Sequence, residues 1–315
     1  MDPSWGGPCQ SIRDVSPFLR ELDVHTEVVC CDAAETRYEC CESFRMHNLG
    51  PGKFRYSYSS SLLPWLKFNV QRFDAVIYHG LWQWNSVAAY LAIKSLKTKT
   101  KATPNFSYPA LIGMPHGGLD PWYQTHASRR LKALRNRLYW ALVQKHVVNV
   151  SDAMFFTCKT ELELAQNTFS GYRPKSEFDI KYGVASLPAA QAGEIEGFRK
   201  KCAPYKSRPY LLYLGRLHPK KGVELLLRSY IRMRNLRQPG EAPLLVVAGP
   251  ESDRRYVARL KGLSEQSEFR NDIVFTGMLS GRDKVACMHG CEALVLASHQ
   301  ENFGVAVVEA MSCNK

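Results

Sequence analysis

The sequence predicts an α/β protein with two domains built on parallel sheets, and three observations carry that prediction. The chain has 315 residues and 45% hydrophobic content, enough for two α/β domains with cores of their own. Short apolar runs without helical spacing alternate with helical segments along its whole length, the pattern of parallel sheets covered by helices. Between the two halves, Gly183 to Arg208 carries Pro188, Gly193 and Pro204 around a short polar helix and reads as a linker. The expected domains are residues 1–190 and 191–315.

In chain order, Gly6-Gly7 is a glycine-rich turn that opens a helix from about Cys9 to Leu22. The strands expected after it are Thr26–Cys31, Asp74–His79, Tyr108–Met114, Asp152–Thr157 and Phe178–Lys181. The helices between them are Leu62–Val70, Asn85–Lys94, Arg129–Val148 and Thr160–Phe169. In the second half the strands are Tyr210–Leu214, Leu244–Ala248, Asp272–Phe275 and Ala293–Ala297, with a helix on Leu225, Leu226 and Leu227 and another from Val305. Pro104 to Tyr108 and Gln238 to Pro243 read as surface loops. Too few residues precede Gly6 for a first strand, and the second sheet stops one helix after its fourth strand. Both ends therefore read as cut, and the chain as a fragment expected to fold poorly and to be nearly inactive.

The formal charge of +13 asks for a partner. Arg129, Arg130, Lys132, Arg135 and Arg137 share a helix with Leu131, Leu134, Leu138 and Leu142, spaced by three and four. The leucines are expected to face a core and the cations to face solvent, an anionic membrane or a lipid-diphosphate acceptor. Nucleic acid is not expected, because no nucleic-acid-binding motif accompanies the charge. Neither a signal peptide nor a membrane-length apolar run is visible, which points to a cytoplasmic protein, peripheral to the membrane at most. Among the ten cysteines, the adjacent pairs Cys30-Cys31 and Cys40-Cys41 lack the spacing of zinc sites and read as reduced thiols.

Three stretches carry chemistry. In the first, Ala293–Ala297 runs into Ser298-His299-Gln300-Glu301-Asn302-Phe303-Gly304, and Gly304 lets the chain turn into the helix that contains Glu309. A helix N-terminus attracts a diphosphate, the loop carboxylate can accept bonds from sugar hydroxyls, and Glu309 can reach a ribose. In the second, the strand Tyr210–Leu214 ends in Gly215-Arg216, and Lys221 precedes the next helix. Cations at the carboxyl end of a parallel strand are suited to phosphate oxygens. In the third, the strand ending at Met114-Pro115 presents His116 amid Gly117-Gly118, followed by Leu119-Asp120-Pro121-Trp122. Asp120 can set up the next helix. Asp74–His79 brings His79 and Trp82 to another strand end, where Trp82 and Trp122 could stack on an acceptor sugar or simply be buried.

Taken together these motifs, with Gly6 and Gly7, resemble the retaining glycosyltransferases of family 4, and the His116 run resembles that family's bacterial exopolysaccharide branch. The resemblance implies the GT-B fold, two Rossmann-like domains with the active site in a cleft between them. It implies transfer of a sugar from a nucleotide-sugar donor to a saccharide or lipid-linked saccharide acceptor, with the acceptor attacking on the face the diphosphate leaves. Donor contacts would come from Gly6, Gly7, Arg216, Lys221, Glu301, Asn302, Phe303, Gly304 and Glu309. His116 would lie near the reacting sugar, with His79, Trp82 and Trp122 on the acceptor side. Neither a metal nor another cofactor is expected, since Arg216 and Lys221 would hold the diphosphate. Two rivals stand beside this reading: a GT-B nucleotide-sugar 2-epimerase, and an inactive remnant that serves as a binding module.

Overall fold

The computed structural model describes the chain apart from residues 4–5, 37, 39–42, 101–102, 104–105, 126–129, 203–207 and 237–241, together with the side chains of 123, 125 and 130. Cys40, Cys41, Pro104, Arg129, Pro204 and Gln238 thus lie outside the described residues, as does the Arg130 side chain. Two units divide the chain, Met1–Gly183 and Val184–Lys315.

In the first unit, α1 (Gly7–Glu21) starts at Gly6, whose φ of 77° is the left-handed conformation that glycine adopts without cost. β1 (Glu27–Ala33) pairs in parallel with β2 (Arg45–Gly50), a strand that the mixed run Arg45-Met46-His47-Asn48 does not announce. This pair forms its own two-stranded sheet. α2 (Leu62–Asn69), β3 (Ala75–His79), α3 (Trp84–Lys99), β4 (Ala110–Met114) and α4 (Trp122–Thr125) follow. β5 (Ala153–Phe156), reached after a long helical stretch, precedes a helix (Lys159–Thr168) and β6 (Glu177–Asp179). The four strands lie in the order β3-β4-β5-β6, all parallel, over a core that includes Ile93, Leu111, Val147, Met154 and Phe156.

The helical stretch corrects an expectation. It comprises α5 (Arg130–Tyr139), a π turn at Trp140–Gln144 and α6 (Lys145–Val150), so that the helix on Lys159–Thr168 is α7. The leucines expected to face the core face outward: Leu131 is 86% exposed, Leu134 66%, Leu138 60% and Leu142 66%. The buried line is Ala133, Asn136, Trp140, Gln144 and Val147 instead. Helical spacing is satisfied by either stripe, and specific bonds select this one. Trp140 stacks on Phe169 at 4.7 Å and donates its indole N–H to the Ser170 carbonyl, while Gln144 reaches Ser86 and the Trp82 N–H.

The second unit contains α8 (Ala192–Cys202), β7 (Tyr210–Leu214), α9 (Val223–Asn235), β8 (Leu244–Ala248), α10 (Arg254–Glu265), β9 (Ile273–Gly277), α11 (Gly281–Gly290), β10 (Ala293–Leu294) and α12 (Val305–Ser312). All strands are parallel, in the order β10-β7-β8-β9, and every residue of β8 is buried, as an interior strand requires. β10 is shorter than the expected Ala293–Ala297. After the Val295 N–H bonds Leu212, the chain leaves the ladder and its Ala297 carbonyl closes over Gly222. Among the described residues, no helix is long and apolar enough to cross a membrane.

Candidate functional site

The strand order places a topological switch point in the second unit. From β7 the connections step to β8 and β9, then return to set β10 on the other flank of β7. In open parallel sheets, ligands bind at the carboxyl ends of the strands where the order reverses. Here those ends carry Arg216 and Lys221 after β7, and Ser298 to Gly304 after β10. Arg216 is exposed and makes no ion pair among the described residues; its carbonyl is held by the hydroxyl of buried Tyr213 at 2.9 Å. A 3-10 turn, Pro219–Lys221, with the His218 side chain accepting the Lys220 N–H, leads to Gly222.

Gly222 has φ 63°, and a Cβ there would sit 1.8 Å from the Ala297 oxygen, so only glycine lets the two loops touch. The Lys220 carbonyl accepts the His299 N–H at 3.0 Å across the same seam. Lys221 and Glu301, distant in sequence, consequently meet: Nζ lies 2.6 and 2.7 Å from the two carboxylate oxygens. Ser298 Oγ donates to Oε1 at 2.6 Å. Half-buried Asn302 and Phe303 complete the loop, and Gly304, at φ 75°, opens α12. Glu309 in that helix is buried, with Oε1 2.5 Å from Lys284 Nζ of α11. Two lysine–glutamate pairs thus neutralise each other, which leaves the Arg216 guanidinium and the α12 N-terminus as the uncompensated positive features of these loops.

The first unit builds a different cluster. His79 ends β3, and His116 follows β4 at a strained left-handed φ of 48°. Because β3 and β4 are neighbours, the two rings stack, with His79 Nδ1 2.9 Å from His116 Nε2. Tyr182 bonds His116 Nδ1 from the other side. Burial lowers His79 to about 4, and burial followed by the charge of His79 takes His116 well below its ordinary value. Burial, then the charges of Glu161 and Cys9, raise the Tyr182 phenol. All three groups are therefore neutral at pH 7. If the phenol donates to Nδ1 of His116, the imidazole proton sits on Nε2 and is passed toward His79.

The loop around His116 is braced from below. Glu161, buried in the first turn of α7, accepts the Gly117 N–H at 2.5 Å through one oxygen and the Thr157 N–H and hydroxyl through the other. Trp82 donates its indole N–H to the Gly118 carbonyl at 2.9 Å and packs among Phe169, Trp140 and Tyr139. That bond ties the Trp82 indole to the loop that carries His116. Asp120 accepts the Trp122 N–H at 2.8 Å and starts α4. Gly6 and Gly7 stand at the start of α1, in the first unit.

Sequence reasoning missed Glu161, Lys284 and Ser298. The first had a signal: Cys158 accepts the Glu161 N–H at 3.4 Å, so Cys158 to Glu161 has the spacing of a capping box. Lys284 had none, because its partner lies on another helix. Cys30 and Cys31 are free thiols, and burial pushes Cys30 up to about 11.

Comparison with known proteins agrees with the fold. Sucrose-phosphate synthase from Thermosynechococcus elongatus superposes with a TM-score of 0.67 at 16% identity, over 98% of this chain and 74% of that one. Anabaena HepE, solved with UDP and glucose, gives 0.66 at 15% identity, over 98% and 76%. The fold of the chain is GT-B. In sequence, the alpha-1,3/1,6-mannosyltransferase ALG2 of Mus musculus is 30% identical over 54% of this chain. D-inositol 3-phosphate glycosyltransferase of Mycobacterium sp. strain KMS is 24% identical over 55%. The matched segments span only 42% and 38% of those two relatives. The family model of the glycosyl transferases group 1 matches residues 194–315, a stretch that lies within the second unit.

Proposed function

We propose that the chain transfers a sugar from a nucleotide-sugar to a saccharide or lipid-linked saccharide acceptor with retention of anomeric configuration. The observation that carries this reading is the Lys221–Glu301 pair beside unpaired Arg216 at the β7/β10 switch point. Arg216 takes the donor diphosphate. Lys221, drawn off Glu301, joins it and leaves that carboxylate for the sugar hydroxyls. Glu309, with Asn302, Phe303 and Gly304 on the approach to it, takes the ribose, for which the hydroxyls compete with Lys284. The acceptor oxygen bonds the anomeric carbon as the bond to the diphosphate breaks on the same face, and the acceptor proton passes to a diphosphate oxygen. Negative charge grows on the leaving group, where fixed cations stabilise the transition state more than the ground state.

The histidine pair is assigned to the acceptor, as neutral hydrogen-bonding groups. No metal is required if the two side-chain cations act as described, and turnover should survive a chelator. The test is incubation with a panel of nucleotide-sugars and saccharide acceptors, with the anomeric configuration of any product read by NMR. An inverted product, or activity that disappears in EDTA, overturns the mechanism. A melting temperature that no nucleoside diphosphate raises overturns the donor site.

A further inference from the structure

The outward leucine stripe of α5 and the π turn has no place in sugar transfer. Leu131, Leu134, Leu138 and Leu142 recur at helical spacing on the side opposite Ala133, Asn136 and Trp140, which are buried. Lys132, Arg135 and Arg137 are exposed beside that stripe, with Arg135 and Lys132 flanking it on one side and Arg137 on the other. Not one aspartate or glutamate occurs between Asp120 and Asp152. A second feature is tied to this helix. The turn at Lys53-Phe54-Arg55 is exposed, with Phe54 87% accessible, and Tyr56 immediately after it bonds Tyr139 of α5 hydroxyl to hydroxyl at 2.9 Å.

A large apolar stripe facing water is unfavourable, and nearby cations without acids disfavour burial against a basic protein such as a second copy of this chain. Both properties suit one occupant, the interface of an anionic bilayer, where leucines enter the acyl boundary and arginines and lysines meet lipid phosphates. We propose that Leu131, Leu134, Leu138 and Leu142, flanked by Lys132, Arg135 and Arg137, form a membrane-docking surface for anionic lipid. This surface stands on geometry in the first unit and does not depend on the assignment of the donor site in the second.

The test is co-sedimentation of the full chain, without nucleotide-sugar, on vesicles of phosphatidylcholine alone or of equimolar phosphatidylcholine and phosphatidylglycerol. Binding to the mixed vesicles is expected, weakened but not abolished at high salt, because screening acts on the cations and not on the leucines. The double variant Leu134→Ser/Leu138→Ser should lower that binding by about tenfold or more, with an unchanged or higher melting temperature because both side chains are already exposed. Arg135→Gln/Arg137→Gln should remove most of the salt dependence. Equal partition of wild type and the serine variant overturns the proposal. So does absence of binding to mixed vesicles, or a wild-type dimer in solution that the serine variant converts to monomer with vesicle binding unaltered. A negative vesicle result leaves nucleotide binding and sugar transfer to be judged separately.

Discussion

The two units present chemistry at the same place in a sheet, the carboxyl ends of adjacent parallel strands, but by opposite electrostatic means. In the second unit, Lys221 and Glu301 are charged and half-buried, held at 2.6–2.7 Å by loops that meet at Gly222. In the first, His79, His116 and Tyr182 are linked in a neutral chain, and burial is the largest influence on each. A charged pair can exchange partners with an ionic ligand at little net cost, since each charge keeps an opposite charge nearby. A desolvated neutral chain cannot welcome a charge, but it can orient a hydroxyl and hold a proton at a defined nitrogen. The contrast supports the proposed division of roles, a diphosphate at the second unit and a sugar hydroxyl at the first.

The sharpest way to break that contrast is to remove the charge. Lys221→Ala should reduce turnover by about a hundredfold or more, whereas its melting temperature should barely move, because a half-exposed ion pair contributes only about 0–1 kcal/mol. Equal turnover in wild type and variant would remove the electrostatic role. Gly222→Ala acts on the same loops through the backbone. The added Cβ would meet the Ala297 oxygen at 1.8 Å, in a left-handed conformation. A loss on the order of 3 kcal/mol in unfolding free energy is expected, measured by urea denaturation, with weakened nucleotide binding alongside. A variant as stable as wild type would mean that the seam between the loops yields easily.

How much of this contrast could be read from the chain alone follows from where each interaction lies. Arg216, Lys221 and Glu301 are legible because each falls within a few residues of a strand end, and parallel strand ends are where α/β sheets bind anions. Their mutual contact is not legible, since it depends on β10 returning beside β7. The same holds for His79 and His116, which meet only through the β3–β4 pairing. Lys284 joins Glu309 across two helices, and nothing local marks it. The leucine stripe was misread because a 3.6-residue period names a face without naming its partner. Trp140 and Gln144, whose bonds are long-range, decided which face went inward. β2 escaped notice because its side chains lack alternation.

Protonation sharpens the contrast from the other side. His79 titrates at about 4 in the folded chain because burial disfavours the imidazolium, against an ordinary value of 6.5. The unfolded chain therefore binds the extra proton first as pH falls. Stability is fully present above about pH 6.5 and is lost as the pH drops toward the folded value, at about 1.4 kcal/mol per pH unit for each such histidine. Carboxylates act later: burial pushes Asp152 up, but Lys175 at 2.6 Å, the Leu111 N–H and the charge of Lys97 together hold it below its ordinary range. Denaturation midpoints of the first unit, followed from neutrality to about pH 5, should fall, and His79→Gln should flatten the slope. A flat profile in wild type would show that the histidine chain accepts a proton without strain.

The smallest expected effect separates a brace from a binding surface. Trp82 could belong to the acceptor site or to the support of the His116 loop, and its indole N–H is spent on the Gly118 carbonyl while Phe169 lies 5.4 Å from its ring. Trp82→Phe keeps an aromatic ring in the cluster and removes the hydrogen bond. A lost bond of this kind costs about 1 kcal/mol, so the variant should melt slightly lower, and turnover should fall with no selective change in acceptor KM. His116 is two residues from Gly118, and a loosened carbonyl moves its strained backbone before it touches any sugar. If the variant instead keeps its stability and raises the acceptor KM alone, the indole is a sugar platform, and the neutral cluster of the first unit extends to the face of Trp82.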